Sequence, residues 1–170
     1  NKCIKKSTGE YLAIISSHCV PTNKFWLEEY YKFMKSNKKL VASYGKHYPL
    51  PGTSLKDQLD LNIIFQDKES ITNKTNYLNN ANAVYNAEYL KKNLFNQKVT
   101  NVEDRLWAID QTKKGKYIGY TPKASVFHID GIHQHRSSSE RAQNSIGLLN
   151  NKFIKIWKDC DFLKKKFYNF

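Results

Sequence analysis

The sequence is short of the residues that force unusual architectures. Three cysteines (Cys3, Cys19 and Cys160) in 170 residues cannot all pair and lie far apart, which excludes a disulfide-stapled scaffold and fits a reducing, intracellular chain. Four prolines and seven glycines are too few for a collagen-like or low-complexity chain. No apolar run approaches the ~18 residues that cross a bilayer. The start, Asn1-Lys2-Cys3-Ile4-Lys5-Lys6, has no signal-peptide core behind it. These absences lead to the expectation of a soluble, cytoplasmic domain. Arginine is nearly missing too: Arg105, Arg136 and Arg141 are the only three, so a net charge of +13 rests on lysine. Base readout leans on the arginine fork, so nucleic acid is not the expected partner. An anionic small molecule or an acidic membrane surface uses the same charge.

What is present is enough for one folded domain: 40% of residues are hydrophobic and 14% aromatic. Residues 1–8 read as the tail of a helix, with Gly9 where a left-handed cap is usual. The continuous apolar run over residues 11–15 reads as a strand buried on both faces, as in a parallel α/β sheet. Residues 24–35 carry Phe25, Trp26, Tyr30, Phe33 and Met34 at amphipathic-helix spacing. Residues 40–44 read as a strand, 48–52 as a loop, 57–65 as helix or strand, and 66–76 as a loop. Residues 79–85 read as a strand or close turn and 87–94 as a short helix. A helix is predicted over 102–114, with Leu106, Trp107 and Ile109 near one face, ended by Gly115; strand-like residues 117–129 follow. Ser137 and Glu140 have capping-box spacing, and from Ile146 to Phe167 apolar residues recur at helical intervals. That terminal helix, residues 137–170, either packs on its own domain, the favoured reading, or lies at a membrane interface.

Several segments, in order, resemble the family-two glycosyltransferases. They are Gly9-Glu10-Tyr11-Leu12-Ala13-Ile14-Ile15-Ser16-Ser17-His18, the small-residue segment Asn79-Asn80-Ala81-Asn82-Ala83, Glu103-Asp104-Arg105-Leu106-Trp107, and a late strand ending in His128. Tyr44-Gly45-Lys46-His47-Tyr48-Pro49 is similar to rhamnosyltransferase-like members. The resemblance covers residues 1–136. It implies a GT-A (Rossmann-like) α/β fold, mainly the acceptor-side half. It also implies a strand neighbour supplied by residues ahead of Asn1; without it, an apolar edge favours self-association and little activity.

The implied reaction is inverting transfer of a sugar from a nucleotide-sugar donor to a hydroxyl of a glycan or lipid-linked acceptor, with possible contact at the inner face of the membrane. An acceptor hydroxyl has a pKa far above 7, so a carboxylate must take its proton. The resemblance gives that role to Asp104, with Glu103 facing scaffold or acceptor. The plainer alternative is a pair of first-turn acids favoured by the helix dipole. Asn80, Ala81 and Asn82 are candidates for the donor sugar, or for strand-end backbone groups. His133, His135 and Arg136 are candidates to offset the leaving diphosphate, or form a solvated loop. The family's metal-binding Asp-X-Asp is replaced by Ser16-Ser17-His18. Mn²⁺ or Mg²⁺ would therefore depend on His18 and His128, although imidazole suits either ion less well than carboxylate. Trp107 is expected to pack rather than stack on a sugar, and Cys19 to be a small buried residue. The missing carboxylate keeps open a non-catalytic binding module with a decayed metal site; a basic nucleic-acid binder is third.

Overall fold

Short apolar runs between breakers produce a mixed α/β fold. The computed structural model describes residues 1–49, 53–75, 77–99 and 101–128. Its elements are α1 (Lys2–Lys6), β1 (Tyr11–Ile15), β2 (Cys19–Pro21), α2 (Trp26–Ser36), β3 (Leu40–Pro49), α3 (Leu55–Ile64), β4 (Ser70–Thr72), β5 (Asn82–Asn86), α4 (Ala87–Lys92), α5 (Glu103–Lys113) and β6 (Tyr117–His128). The strands form one sheet in the order β1-β5-β3-β6-β2, with β4 also on β6. The far side of β6 is shared: β4 pairs with its first half and β2 with its last three residues.

The expected parallel sheet is replaced by a mixed one. β3 and β6 run parallel, and the other pairs are antiparallel. β1 is an edge strand on β5, half-buried after Tyr11. Its two faces are nevertheless both covered. Leu12 and Ile14 pack on the cluster of Ile4, Tyr85, Leu90 and Trp107; Ala13 and Ile15 pack on that of Trp26, Tyr30 and Val84. Helices over both faces make the run apolar throughout, and the edge position leaves it partly exposed.

In α2 the buried residues Trp26, Leu27, Tyr30, Phe33 and Met34 fall on one stripe, each worth roughly 1.5–3 kcal/mol on full burial. Phe25 is not part of it: it sits at the N-cap, 49% exposed. Residues 57–65 resolve as α3, started by Ser54, whose Oγ accepts from Asp57 N at 3.1 Å. Leu61 and Phe65 turn inward while Leu55, Leu59 and Ile63 face solvent, which is why neither period stood out. In α5 the inward residues are Trp107, Ala108 and Gln111; Leu106 is exposed. Gly115, at φ 73°, ends α5 as predicted, but Gly9 is not left-handed: α1 closes on extended Ser7. β3 continues through His47, Tyr48 and Pro49, and β4 lies within the presumed 66–76 loop. Residues 129–170, with the terminal helix, His133, His135 and Arg136, lie outside the described residues.

One irregularity positions the site. Between the pairs Gly45↔Thr121 and His47↔Val126, β3 contributes one residue, Lys46, and β6 contributes four, Pro122 to Ser125. Proline removes a ladder donor, and such bulges bend a strand. Asn82 closes the gap. Its Nδ2 donates to Ala124 O at 2.8 Å and to Lys46 O at 3.4 Å, while its Oδ1 accepts from Trp26 Nε1 at 2.9 Å and Tyr30 OH at 2.8 Å. The packing there is close enough that a Cβ on Gly45 would lie 1.9 Å from Ala124 O.

Candidate functional site

Four elements end around one cleft of about 140 Å³: β3, β6, the residues leading into β5, and the start of α5. Its lining includes His47, Tyr77, Ala81, Asp104, Arg105 and His128. Asn101 adopts φ 67°, a conformation asparagine tolerates, just before α5 begins. The helix start that follows carries Asp104 and Arg105 to the cleft wall.

Asp104 is fixed on both oxygens. Its Oδ2 accepts from Asn80 N at 2.7 Å and its Oδ1 from Arg105 N at 2.7 Å. The first bond ties α5 to the segment before β5. A carboxylate has about four lone-pair sites, so two backbone bonds leave capacity for a further proton donor. Burial raises the Asp104 carboxyl above its ordinary range, outweighing the two backbone N–H groups that act to lower it. Nearby Glu103 adds a smaller push in the same direction. Arg105 holds its guanidinium 5.1 Å from the centre of the Tyr77 ring, placing a cation at the rim.

The histidines gather at the other wall. In the turn between β1 and β2, Ser16 N donates to Ala81 O at 3.1 Å, joining that turn to the small-residue segment. Ser16 Oγ lies 2.9 Å from His18 Nδ1. The His18 ring stacks on His128 with centres 4.8 Å apart. Cys19 pairs with His128 across β2 and β6, and ligating atoms of His18, Cys19 and His128 all lie within 4.8 Å of one another. His47 Nδ1 is 3.1 Å from His128 Nδ1, and the His47 ring stacks on Phe65 with centres 4.3 Å apart. His47 is 1% exposed, and its Nε2 has no hydrogen-bond partner among the described residues. Burial, then His128 and His18, hold its imidazole well below the ordinary histidine range, so it is neutral.

No family model matches this chain, and no curated protein matches it. What the cleft can do is therefore read from its own chemistry.

Of the sequence-based candidates, Asp104, Ala81 and His128 line the cleft, and His18 stacks behind His128. Asn80 contributes its backbone N–H to Asp104, and its Oδ1 accepts from Tyr85 OH at 2.5 Å. Asn82 is a correction: wholly buried and bonded to strands and α2, it has no group left for a sugar. Trp107 packs as expected, its Nε1 donating to Asn93 O at 2.5 Å. Three residues escaped sequence reasoning: His47, Arg105 and Tyr77. A solitary histidine in a strand carries no local signal; only the β3–β6 pairing sets His47 against His128.

The implied hard cation does not fit these residues. Among the described residues the grouped ligands are two imidazoles and a thiol, with no carboxylate. Mg²⁺ takes oxygen ligands, and Mn²⁺ prefers them.

Proposed function

We propose that the cleft transfers a sugar from a nucleotide-sugar to a hydroxyl of a glycan or lipid-linked acceptor, with inversion, on a GT-A type scaffold. The observation that carries this reading is convergence. The segment before β5, the start of α5 and the end of β6 are far apart in sequence, each resembles a family-two glycosyltransferase motif, and all meet in one cleft.

Among the described residues Asp104 is the one carboxylate in the cleft lining. A single base with no second carboxylate as nucleophile suits one direct displacement. The acceptor O–H gives its proton to Asp104, the new C–O bond forms on the face opposite the diphosphate, and the anomeric C–O bond to diphosphate breaks. A carboxyl raised by burial is a better base than an exposed one. Arg105, at the rim, is placed to offset the departing charge. No step is assigned to a metal.

The test is release of nucleoside diphosphate from nucleotide-sugars, with and without glycan acceptors. Asp104→Asn lowers turnover roughly 10²–10⁴-fold with donor affinity little changed. Full turnover in a folded Asp104→Asn protein removes the base assignment. Among the described residues no carboxylate groups with His18, Cys19 and His128, which favours a second reading, a non-catalytic nucleotide-sugar-binding module. Donor binding by calorimetry with no diphosphate release for any acceptor selects it.

A further inference from the structure

The misfit with Mg²⁺ and Mn²⁺ has a positive side. We infer that His18, Cys19 and His128 form a binding site for a zinc-class ion, positioned from behind by Ser16 and His47. Two imidazoles and a thiolate are a borderline-to-soft donor set, which zinc accepts in tetrahedral sites with three protein ligands and one open position. Zinc–nitrogen bonds of about 2.0–2.1 Å and a zinc–sulfur bond of about 2.3 Å put ligand atoms roughly 3.5 Å apart. The ligating atoms here lie within 4.8 Å of one another, and closure requires the stacked His18 and His128 rings to turn toward a common point.

The surrounding hydrogen bonds set the rings for this task. A ligating histidine engages its second nitrogen with a neighbour, which fixes its tautomer and orientation. Ser16 Oγ lies 2.9 Å from His18 Nδ1 and 3.4 Å from its Nε2, and His47 Nδ1 lies 3.1 Å from His128 Nδ1, so each ring has a polar neighbour that sets its orientation. His47 is deeply buried and its ring stacks on Phe65, so the edge it presents to His128 is fixed. Ligation exchanges the Cys19 S–H bond for a sulfur–metal bond and releases one proton to solvent. The ion sits behind the cleft wall that His47 and His128 line. The inference goes beyond the transfer reaction and does not depend on it.

Cobalt(II) reports the site directly, with no reference to transferase activity. Titration of the purified chain is expected to give intense visible bands of four-coordinate cobalt and a thiolate-to-cobalt charge-transfer band. One equivalent of Zn²⁺ removes both. Cys19→Ser, nearly isosteric, loses the charge-transfer band. His18→Ala and His128→Ala lose roughly 100-fold or more in affinity, whereas Ser16→Ala and His47→Gln keep the spectrum and weaken binding roughly 10–100-fold. Far-UV circular dichroism confirms that each variant is folded. Only weak six-coordinate bands from the wild type, a charge-transfer band that survives Cys19→Ser, or tighter binding of Mn²⁺ than Zn²⁺ would each overturn the assignment.

Discussion

Asn82 and Asp104 are both polar, both tied to backbone, and both close to the start of β5, yet their surroundings treat them oppositely. Asn82 lies at the face covered by α2, where two donors meet its oxygen and two carbonyls meet its amide. Nothing about it is left over. Asp104 lies at the cleft with two backbone bonds and a carboxyl pushed up by burial. The histidine wall opposite holds His47 Nε2 buried and, among the described residues, without a partner. A buried polar group whose every site is filled holds a fold together; one left partly unfilled in a cleft keeps chemical capacity.

That contrast breaks down if Asn82 proves dispensable. Asn82→Leu removes the side-chain partner of Trp26 Nε1 and Ala124 O, while Tyr30 OH keeps its bond to the backbone carbonyl of residue 82, and is expected to cost about 2–4 kcal/mol in urea unfolding. A loss below about 1 kcal/mol would show that the amide is incidental. Gly45→Ala tests the packing of the same spot without touching a hydrogen-bonding group. Its Cβ meets Ala124 O, Asn82 Nδ2 and Tyr30 OH, so overpacking should cost about 1–3 kcal/mol. Tm unchanged from wild type would mean the bulge yields freely.

Asp104 should behave in the opposite sense. Its folded pKa lies above the unfolded one, so the native state holds a proton that the unfolded state has already lost. The resulting stability is present below the unfolded pKa and disappears as pH rises through the folded value. Comparing wild type with Asp104→Asn by thermal melts across that range should therefore favour the variant increasingly as pH rises. A gap constant with pH would remove the raised carboxyl. The smallest effect is expected at Glu103, which is half-buried beside Asp104 but does not line the cleft. Glu103→Gln should change diphosphate release by less than about tenfold, and a larger loss would transfer the base role to Glu103.

Helices α2 and α5 were legible in the sequence, α2 by its apolar spacing and α5 by Gly115 after its end, and neither needed tertiary information. Asp104, Ala81 and His128, singled out in the sequence by their segments' resemblance, meet at one cleft. The pairing direction was not legible. The apolar run of β1 reports that both faces are covered, and says nothing of which strand lies beside it. β4 was hidden because Ser70, Ile71 and Thr72 hold their place by backbone ladder bonds to β6, in a stretch whose side chains read as loop. The same limit hid the end of β3, where His47 is meaningless until β6 brings His128 alongside.

The bulge between β3 and β6 has a mechanical consequence. Past it, the sheet continues as a narrow tab, in which His47, Tyr48 and Pro49 pair with Val126, Phe127 and His128, and the same three residues of β6 carry Pro21, Val20 and Cys19 on their other edge. One short rail thus bears both His47 and Cys19. A displacement along that rail would carry the two together and pull on His18, which is peptide-bonded to Cys19 in a turn where Cys19 N donates to Ser16 O at 3.0 Å and Ser16 N to Ala81 O at 3.1 Å. Opening the tab would loosen the histidine wall before the rest of the sheet, so amide exchange at residues 126–128 should report the state of that wall while residues 117–121 stay closed.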